Sequence, residues 1–247
     1  MSGPRREAEF FLRHRNVYVY VPNIIGYIRI VCALYSFGVS LSYPVQCIVF
    51  YFFSFVCDEL DGRFARQLNQ TSTLGAVLDM VTDRLATTGL LLLLAVLYPK
   101  YIIAAVSLVF LDIFSHWFQM YATLLVGATT HKDTASSSWL VRMYYKHRLF
   151  MGFCCCCCEL LYLCLYGLAF EGTRGWRIPA LACALPTQLL ALEPGLGHVF
   201  SQQGMPLLGL LALVALPGVL VKQICNIAQL RTSAAMLVQH DLKKMKP

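Results

Sequence analysis

Asp58 to Asp83 reads DELDGRFARQLNQTSTLGAVLDMVTD, with strongly apolar sequence on both sides. The pattern is D-x-x-D-G-x-x-A-R, then eight residues, then G-x-x-x-D-x-x-x-D. On a helix, Asp58 and Asp61 share a face, and so do Asp79 and Asp83, with Gly75 one turn before them. Two helices facing each other through these residues bring four carboxylates together. Hard divalent cations take such all-oxygen sites, and two of them side by side clamp a phosphoryl group during displacement. An aspartate near the centre of a membrane helix costs about 2.5–3.5 kcal/mol. The cluster therefore needs metals, cations or water to compensate it. Solvated acids at two helix ends would be the plainer reading. They would explain neither the spacing nor the small residues Gly62, Ala65 and Gly75 among the acids.

Composition points the same way. Of the 247 residues, 58% are hydrophobic and 13% charged, against about 25% charged in a soluble domain. There is no polar linker and no internal repeat, so the chain reads as a single membrane domain over 1–247. The expected fold class is all-α, a polytopic membrane protein with six transmembrane helices. The spans fall at about 17–41, 44–66, 72–98, 101–127, 148–170 and 205–230, each near the roughly 20 residues a bilayer needs. Residues 67–71 form a polar turn, and Ser72 or Thr73 can cap the helix that follows. Tyr98-Pro99 closes the third span. The core is 17–170. The Pro- and Gly-broken stretch 171–204 reads as a lumenal insertion, and 231–247 as a basic cytoplasmic tail.

Charge sets the orientation. Fourteen of the twenty Lys and Arg precede span one, lie between spans two and three or four and five, or follow span six. Only Lys100, Arg174 and Arg177 fall on the opposite side. Both termini and the aspartate motif are then cytoplasmic, and the net charge of +7 suits a surface that meets anionic lipid. The basic residues are scattered between spans, which speaks against nucleic acid. The first apolar segment carries Arg29 and lacks a cleavage site, so it reads as a retained helix rather than a signal peptide. Lysines near the C-terminus support an endoplasmic reticulum membrane.

Five of the eleven cysteines are consecutive, Cys154 to Cys158. On a helix they point around the whole circumference and cannot converge on one metal. They read as small apolar residues, with palmitoylation of an interface-facing member as the other reading. No disulfide framework is expected.

The motif Asp58-x-x-Asp61-Gly62-x-x-Ala65-Arg66, with Gly75, Asp79 and Asp83, matches the signature of the CDP-alcohol phosphotransferase family without a departure in type or spacing. VPNIIGYIRI at 21–30, LDMVTDR at 78–84, SHW at 115–117, HK at 131–132, VRMYYKHR at 141–148 and ELLYLCLY at 159–166 are similar to its inositol-transferring branch. The resemblance covers about 17–170, and 171–204 looks like an insertion relative to the family. It implies a six-helix fold, a homodimer, and a polar cavity open to the cytoplasm. It also implies transfer of a phosphatidyl group from CDP-diacylglycerol to myo-inositol with release of CMP, using two ions of Mg2+ or Mn2+. In the family's pattern Asp58 and Asp79 bridge both metals, Asp61 holds the first and Asp83 the second. Asp83 also takes the proton from the acceptor hydroxyl. Gly62 admits the nucleotide close to the backbone, and Arg66 offers a guanidinium fork to phosphate. Asn23, Gly26, Ala65, Ser72 and Gly75 match positions near the CDP moiety. Related sequences often carry threonine where this chain has Gly26, so a contact there runs through backbone.

A neutral polyol acceptor needs buried hydrogen-bonding groups. The candidates are His116, Lys132, Arg142 and Glu159. His116 and Asp112 are four apart and can simply pair within span four, and Lys132 and Arg142 can be ordinary loop cations. Arg29 and Arg84 balance the acidic cluster. Two other readings stay open. One is a related transferase using glycerol phosphate, serine or diacylglycerol as acceptor. The other is a cation carrier, although a carrier would show repeated halves and broken helices.

Overall fold

The computed structural model describes residues 16–126, 143–144, 146–173, 175, 177–178 and 204–245. Six long helices occur among them: α1 (Val21–Val39), α2 (Pro44–Gln67), α3 (Thr73–Leu97), α4 (Ile102–Val126), α5 (Arg148–Leu168) and α6 (Leu207–Lys244). Two-residue strands β1 (Arg177–Ile178) and β2 (Met205–Pro206) pair antiparallel, with Arg177 opposite Pro206. Five of the six helices are long and apolar enough to cross a bilayer, all but α2. The last ten residues of α2 carry Asp58, Glu59, Asp61, Arg63 and Arg66, and that charge lowers its apolarity. The protein is thus an all-α polytopic membrane protein.

Two boundaries differ from the sequence expectation. Helix α1 starts at Val21 rather than near 17, because Val17–Val19 is a 3-10 turn capped by Asn16, whose Oδ1 accepts from Tyr18 N at 3.1 Å. Pro22 then sits in the first turn of α1, where no helical partner is lost. Helix α6 runs on to Lys244 instead of ending near 230. Residues 231–244 contain no glycine or proline, and Lys243 and Lys244 suit the negative end of the helix dipole. Most of 171–204, and both Lys132 and Arg142, lie outside the described residues.

The chain divides into two compact units, one ending at Leu93 and one beginning at Leu94. In the first, α1 packs on α2. Ser36 Oγ donates to Cys47 O at 2.9 Å, Ser54 Oγ donates to Arg29 O at 3.0 Å, and the Tyr35 and Phe50 rings lie 4.5 Å apart. Polar side chains turn inward here: Asn23, Arg29, Ser36, Ser54 and Asp61 are all buried. Val31 and Leu34, on the same helix as Arg29, are 65% exposed. This inside-out distribution suits a lipid surround, where apolar side chains meet hydrocarbon and polar groups must find partners within the protein.

In the second unit, α6 packs against both α4 and α5. Its buried face is built of small residues at one end, Gly209, Ala212, Ala215 and Gly218. Such residues let membrane helices approach closely. A Cβ at Gly218 would lie 2.5 Å from Cys157 Sγ and 2.7 Å from Cys157 Cβ. Cys154, Cys157 and Cys158 are buried and Cys156 is exposed, so the cysteine run does spread around α5. The ten described cysteines are free thiols packed as small side chains.

Gly218→Ala should therefore lower the thermal midpoint of the purified protein, on the scale of about 1–3 kcal/mol for overpacking. A double-mutant cycle with Cys157→Gly should show non-additivity, because the second change removes the atoms the first collides with. Additive effects would mean that this crossing does not limit how closely α5 and α6 pack.

Candidate active site

Three helices of the first unit each contribute to one acidic centre. Helix α2 carries Asp58 and Asp61, α3 carries Asp79 and Asp83, and α1 carries Arg29. The α2–α3 turn sets the two carboxylate pairs opposite each other. It opens with Asn69 at φ 53, a left-handed conformation that asparagine tolerates well. Gln70 N then donates back to Ala65 O at 2.9 Å, a Schellman-type closure of α2. Ser72 caps α3, its Oγ accepting from Gly75 N at 2.9 Å, as expected for one of the two candidate caps. Gln70 is buried, and its Oε1 accepts from Val21 N at 2.9 Å, tying the start of α1 to the same turn. The polar turn was legible in sequence. This reach of Gln70 across 49 residues was not.

Carboxylate oxygens of Asp58, Asp61 and Asp79 lie within 4.8 Å of one another. Asp83 joins them through Arg29. Arg29 Nη2 is 2.6 Å from both Asp58 Oδ1 and Asp83 Oδ1. Its Nη1 is 2.8 Å from Asp61 Oδ2 and 2.9 Å from Asp79 Oδ1. One guanidinium thus touches all four acids. The expected balancing role of Arg84 is slighter, with its Nη2 3.6 Å from Asp83 Oδ2. Four carboxylates converging on one cationic group form an all-oxygen donor set of the kind hard divalent ions accept. The residues present fit a divalent metal.

Beside the acids lies a cavity of about 170 Å³. Asn23, Gly26, Gly62, Ala65, Arg66, Ser72 and Gly75 all line it, together with Asp61 and Asp79. Asn23 is almost fully buried. Its Nδ2 donates to Val17 O at 2.6 Å, while its Oδ1 has no hydrogen-bond partner. A buried acceptor left open in this way is expensive unless something supplies a donor. Gly75 makes room for that oxygen, since a Cβ there would lie 2.7 Å from Asn23 Oδ1. Gly26 has a packing role as well: its Cβ would meet Leu78 Cδ2 at 2.8 Å. The Ser72 hydroxyl accepts from the helix cap and keeps its own proton to donate.

The acceptor-side candidates fare differently. His116 on α4 has contacts within its own helix, with Nδ1 2.8 Å from Asp112 O and 3.1 Å from Ser115 Oγ. Glu159 is half-buried on α5. Lys132 and Arg142 lie outside the described residues. The sequence reading passed over a buried polar stripe on α6: Lys222, Asn226, Gln229 and Ser233. Gln229 Nε2 donates to Ser115 O on α4 at 3.1 Å, and Lys222 Nζ stands 5.8 Å from the Tyr144 ring centre. The four-three-four spacing of the stripe within an apolar span was the available signal.

A family model described as CDP-alcohol phosphatidyltransferase matches residues 19–184, and the chain belongs to that family. Among curated proteins it is 42% identical over 230 residues to CDP-diacylglycerol–inositol 3-phosphatidyltransferase 1 of Arabidopsis thaliana, covering 93% of each chain. It is 38% identical over 232 residues to the CDP-diacylglycerol–inositol 3-phosphatidyltransferase of Schizosaccharomyces pombe, again covering 93% of each. The Rattus norvegicus protein of the same name is 40% identical over 157 residues, which is 63% of this chain and 74% of that one. No solved structure matches the chain.

If the acids hold divalent ions, Mn2+ or Mg2+ should raise the thermal midpoint of the purified protein. The gain is about 2.7 kcal/mol when the free ion is at a hundredfold its dissociation constant. Excess chelator should reverse it, and Asp61→Asn should abolish most of it. An equal shift in wild type and Asp61→Asn would place the ions elsewhere.

Proposed function

We propose that the protein is a phosphatidylinositol synthase, transferring the phosphatidyl group of CDP-diacylglycerol to myo-inositol and releasing CMP. One observation carries the reading. The complete eight-position signature folds into a four-carboxylate centre beside a cavity, in a chain that aligns over nine-tenths of its length with inositol phosphatidyltransferases.

Asp58, Asp61, Asp79 and Asp83 would hold two ions, Mg2+ or Mn2+. When bound, these supply charge neutralisation of the pyrophosphate and of the in-line transition state. The remaining work belongs to the protein's own groups. The CDP end enters the cavity lined by Asn23, Gly26, Gly62, Ala65, Arg66, Ser72 and Gly75. The open Asn23 Oδ1 accepts a donor from the nucleotide. Ser72 Oγ and the Arg66 guanidinium donate to phosphate oxygens. The acceptor hydroxyl oxygen forms a bond to the lipid-side phosphorus as the phosphorus–oxygen bond to CMP breaks, and the hydroxyl proton passes to Asp83. For the acceptor pocket, His116, Lys132, Arg142 and Glu159 stand as candidates.

The finer parts of the reading are these. The chain forms a single membrane domain of six spans in the endoplasmic reticulum membrane, assembled as a homodimer. Both termini face the cytoplasm, and 171–204 is lumenal. The 14-to-3 division of Lys and Arg supports the orientation, and five helices long and apolar enough to cross a bilayer support the multi-span reading.

Two measurements test this. Purified protein given CDP-diacylglycerol and a panel of acceptors should use free myo-inositol far better than serine, glycerol 3-phosphate or inositol phosphate. A site built to bind hydroxyls leaves buried groups unpaired with the wrong acceptor. Asp83→Asn should cut turnover by about a hundredfold or more, the scale of losing a general base. Comparable rates with serine or glycerol 3-phosphate would sink the inositol assignment and leave the broader transferase. For topology, single cysteines at the exposed positions Asn69 and Glu171, in a background without reactive native thiols, should label from opposite sides of sealed microsomes. Labelling from the same side would overturn the six-span arrangement.

A further inference from the structure

Arg29 does more than neutralise. Its side chain is 3% exposed, yet both terminal nitrogens bridge two carboxylates each, at 2.6–2.9 Å. The oxygens it holds belong to the same four side chains a pair of divalent ions would need. Nothing else described lies this close to all four. Its backbone carbonyl is pinned by Ser54 Oγ at 3.0 Å, so the helix cannot easily carry the group away. Its Nε is buried without a hydrogen-bond partner, so no bond is lost at that atom when the guanidinium moves.

We propose that Arg29 is a resident counter-cation of the metal site. It occupies the convergence point of the four carboxylates when metal is absent, yields it as divalent ions load, and thereby sets how weakly those ions bind. This rests on the acids being the metal site and not on the identity of the acceptor.

Charge arithmetic supports the competition. Four carboxylates and one guanidinium carry three net negative charges, and two divalent ions bring four positive ones. With all partners in place the centre would be net positive. Removing Arg29 would leave a full four negative charges for the metals, so they should bind more tightly. Without metals, the same removal leaves four like charges around one uncompensated point inside an apolar surround. The metal-free protein should then lose stability. A merely structural arginine predicts the opposite for affinity. If its chief role were to hold the carboxylates in register, its loss would scatter the ligands and weaken binding.

The test is Mn2+ binding to purified protein, read from the electron paramagnetic resonance signal of free Mn2+ and without any turnover. Wild type, Arg29→Met, Arg29→Lys and Asp61→Asn are compared, with thermal midpoints measured in chelator and in saturating Mn2+. Arg29→Met should bind Mn2+ at least tenfold more tightly than wild type. It should also show a lower midpoint in chelator and a larger gain from Mn2+. Arg29→Lys, whose single ammonium cannot reach four carboxylates, should fall between the two. If Arg29→Met folds only with Mn2+ present, its release rate into excess chelator is measured instead and should be slower than that of wild type. Unchanged or weaker Mn2+ binding in both variants would overturn the proposal while leaving the metal site in place. Absence of Mn2+ binding to wild type, or equal binding by Asp61→Asn, would overturn both.

Discussion

The first unit is organised around a single buried cation facing four carboxylates. Arg29 reaches Asp58 and Asp61 on α2 and Asp79 and Asp83 on α3 from a position on α1, so one side chain meets acids from both of the other helices. Rotating α1 by one residue would turn an apolar neighbour inward and leave an unpaired acid cluster in an apolar region. Each such acid costs about 2.5–3.5 kcal/mol on insertion scales. Removing one partner of a buried ion pair is worse than lacking the pair altogether. The buried carboxylates therefore demand positive charge at this point, which Arg29 supplies when no metal is bound. Ser54 bonding to the Arg29 carbonyl and Gln70 bonding to Val21 N hold α1 itself in place.

The same constraint joins the fold to the cavity. Gly75 stands where a Cβ would strike both Asn23 Oδ1 and Ser72 Oγ. Asn23 needs that space because its amide nitrogen is committed to Val17 O and its buried, unpartnered oxygen lies 2.7 Å from where a Cβ at Gly75 would stand. Ser72 needs it because its oxygen caps α3. One missing side chain thus permits a helix cap, a buried amide and a ligand wall within a few ångströms. Arg66 and Gly62 complete the wall from α2, one turn apart. Signature residues at this density leave little room for drift in type. A larger residue at 75 would have to break either the cap or the amide.

How much of this could be read from the sequence depends on what kind of information spacing carries. Helical periodicity fixes which residues share a face, so Asp58 with Asp61 and Asp79 with Asp83 were legible, and so were Ser72 as a cap candidate and the dispersal of Cys154 to Cys158. The seven cavity positions followed from family likeness and do line one cavity. Periodicity does not say which face of a third helix meets the pair. Arg29 could be read as balancing charge, but not as touching all four acids. The long reach of Gln70 to Val21 has no local signature, because a glutamine in a polar turn looks solvated. The start of α1 was misjudged because hydropathy runs on through Val17–Val19, while Asn16 and Pro22 impose a turn and a fresh helix start. The helix of the sixth span runs past the span itself, to Lys244, for the converse reason. Polarity marks where hydrocarbon ends, whereas a helix continues wherever its residues propagate it.

The second unit poses the same physical problem with a different solution. Lys222, Asn226, Gln229 and Ser233 lie buried along one face of α6, and no single cation organises them. Gln229 is satisfied by the Ser115 carbonyl, and Lys222 stands near the Tyr144 ring. Asn226 donates weakly to Gln223 at 3.3 Å, while its Oδ1 has no hydrogen-bond partner. Interhelical polar contacts in a membrane are worth only about 1 kcal/mol each, too little to explain four buried polar groups as glue alone. The other half of the same face, Gly209 to Gly218, packs with no polar group at all. Close packing through small residues thus suffices to hold α6 in place at one end. The polar residues at the other end are extra to that requirement, and intramembrane polar groups extra to packing are those for which function is the default explanation.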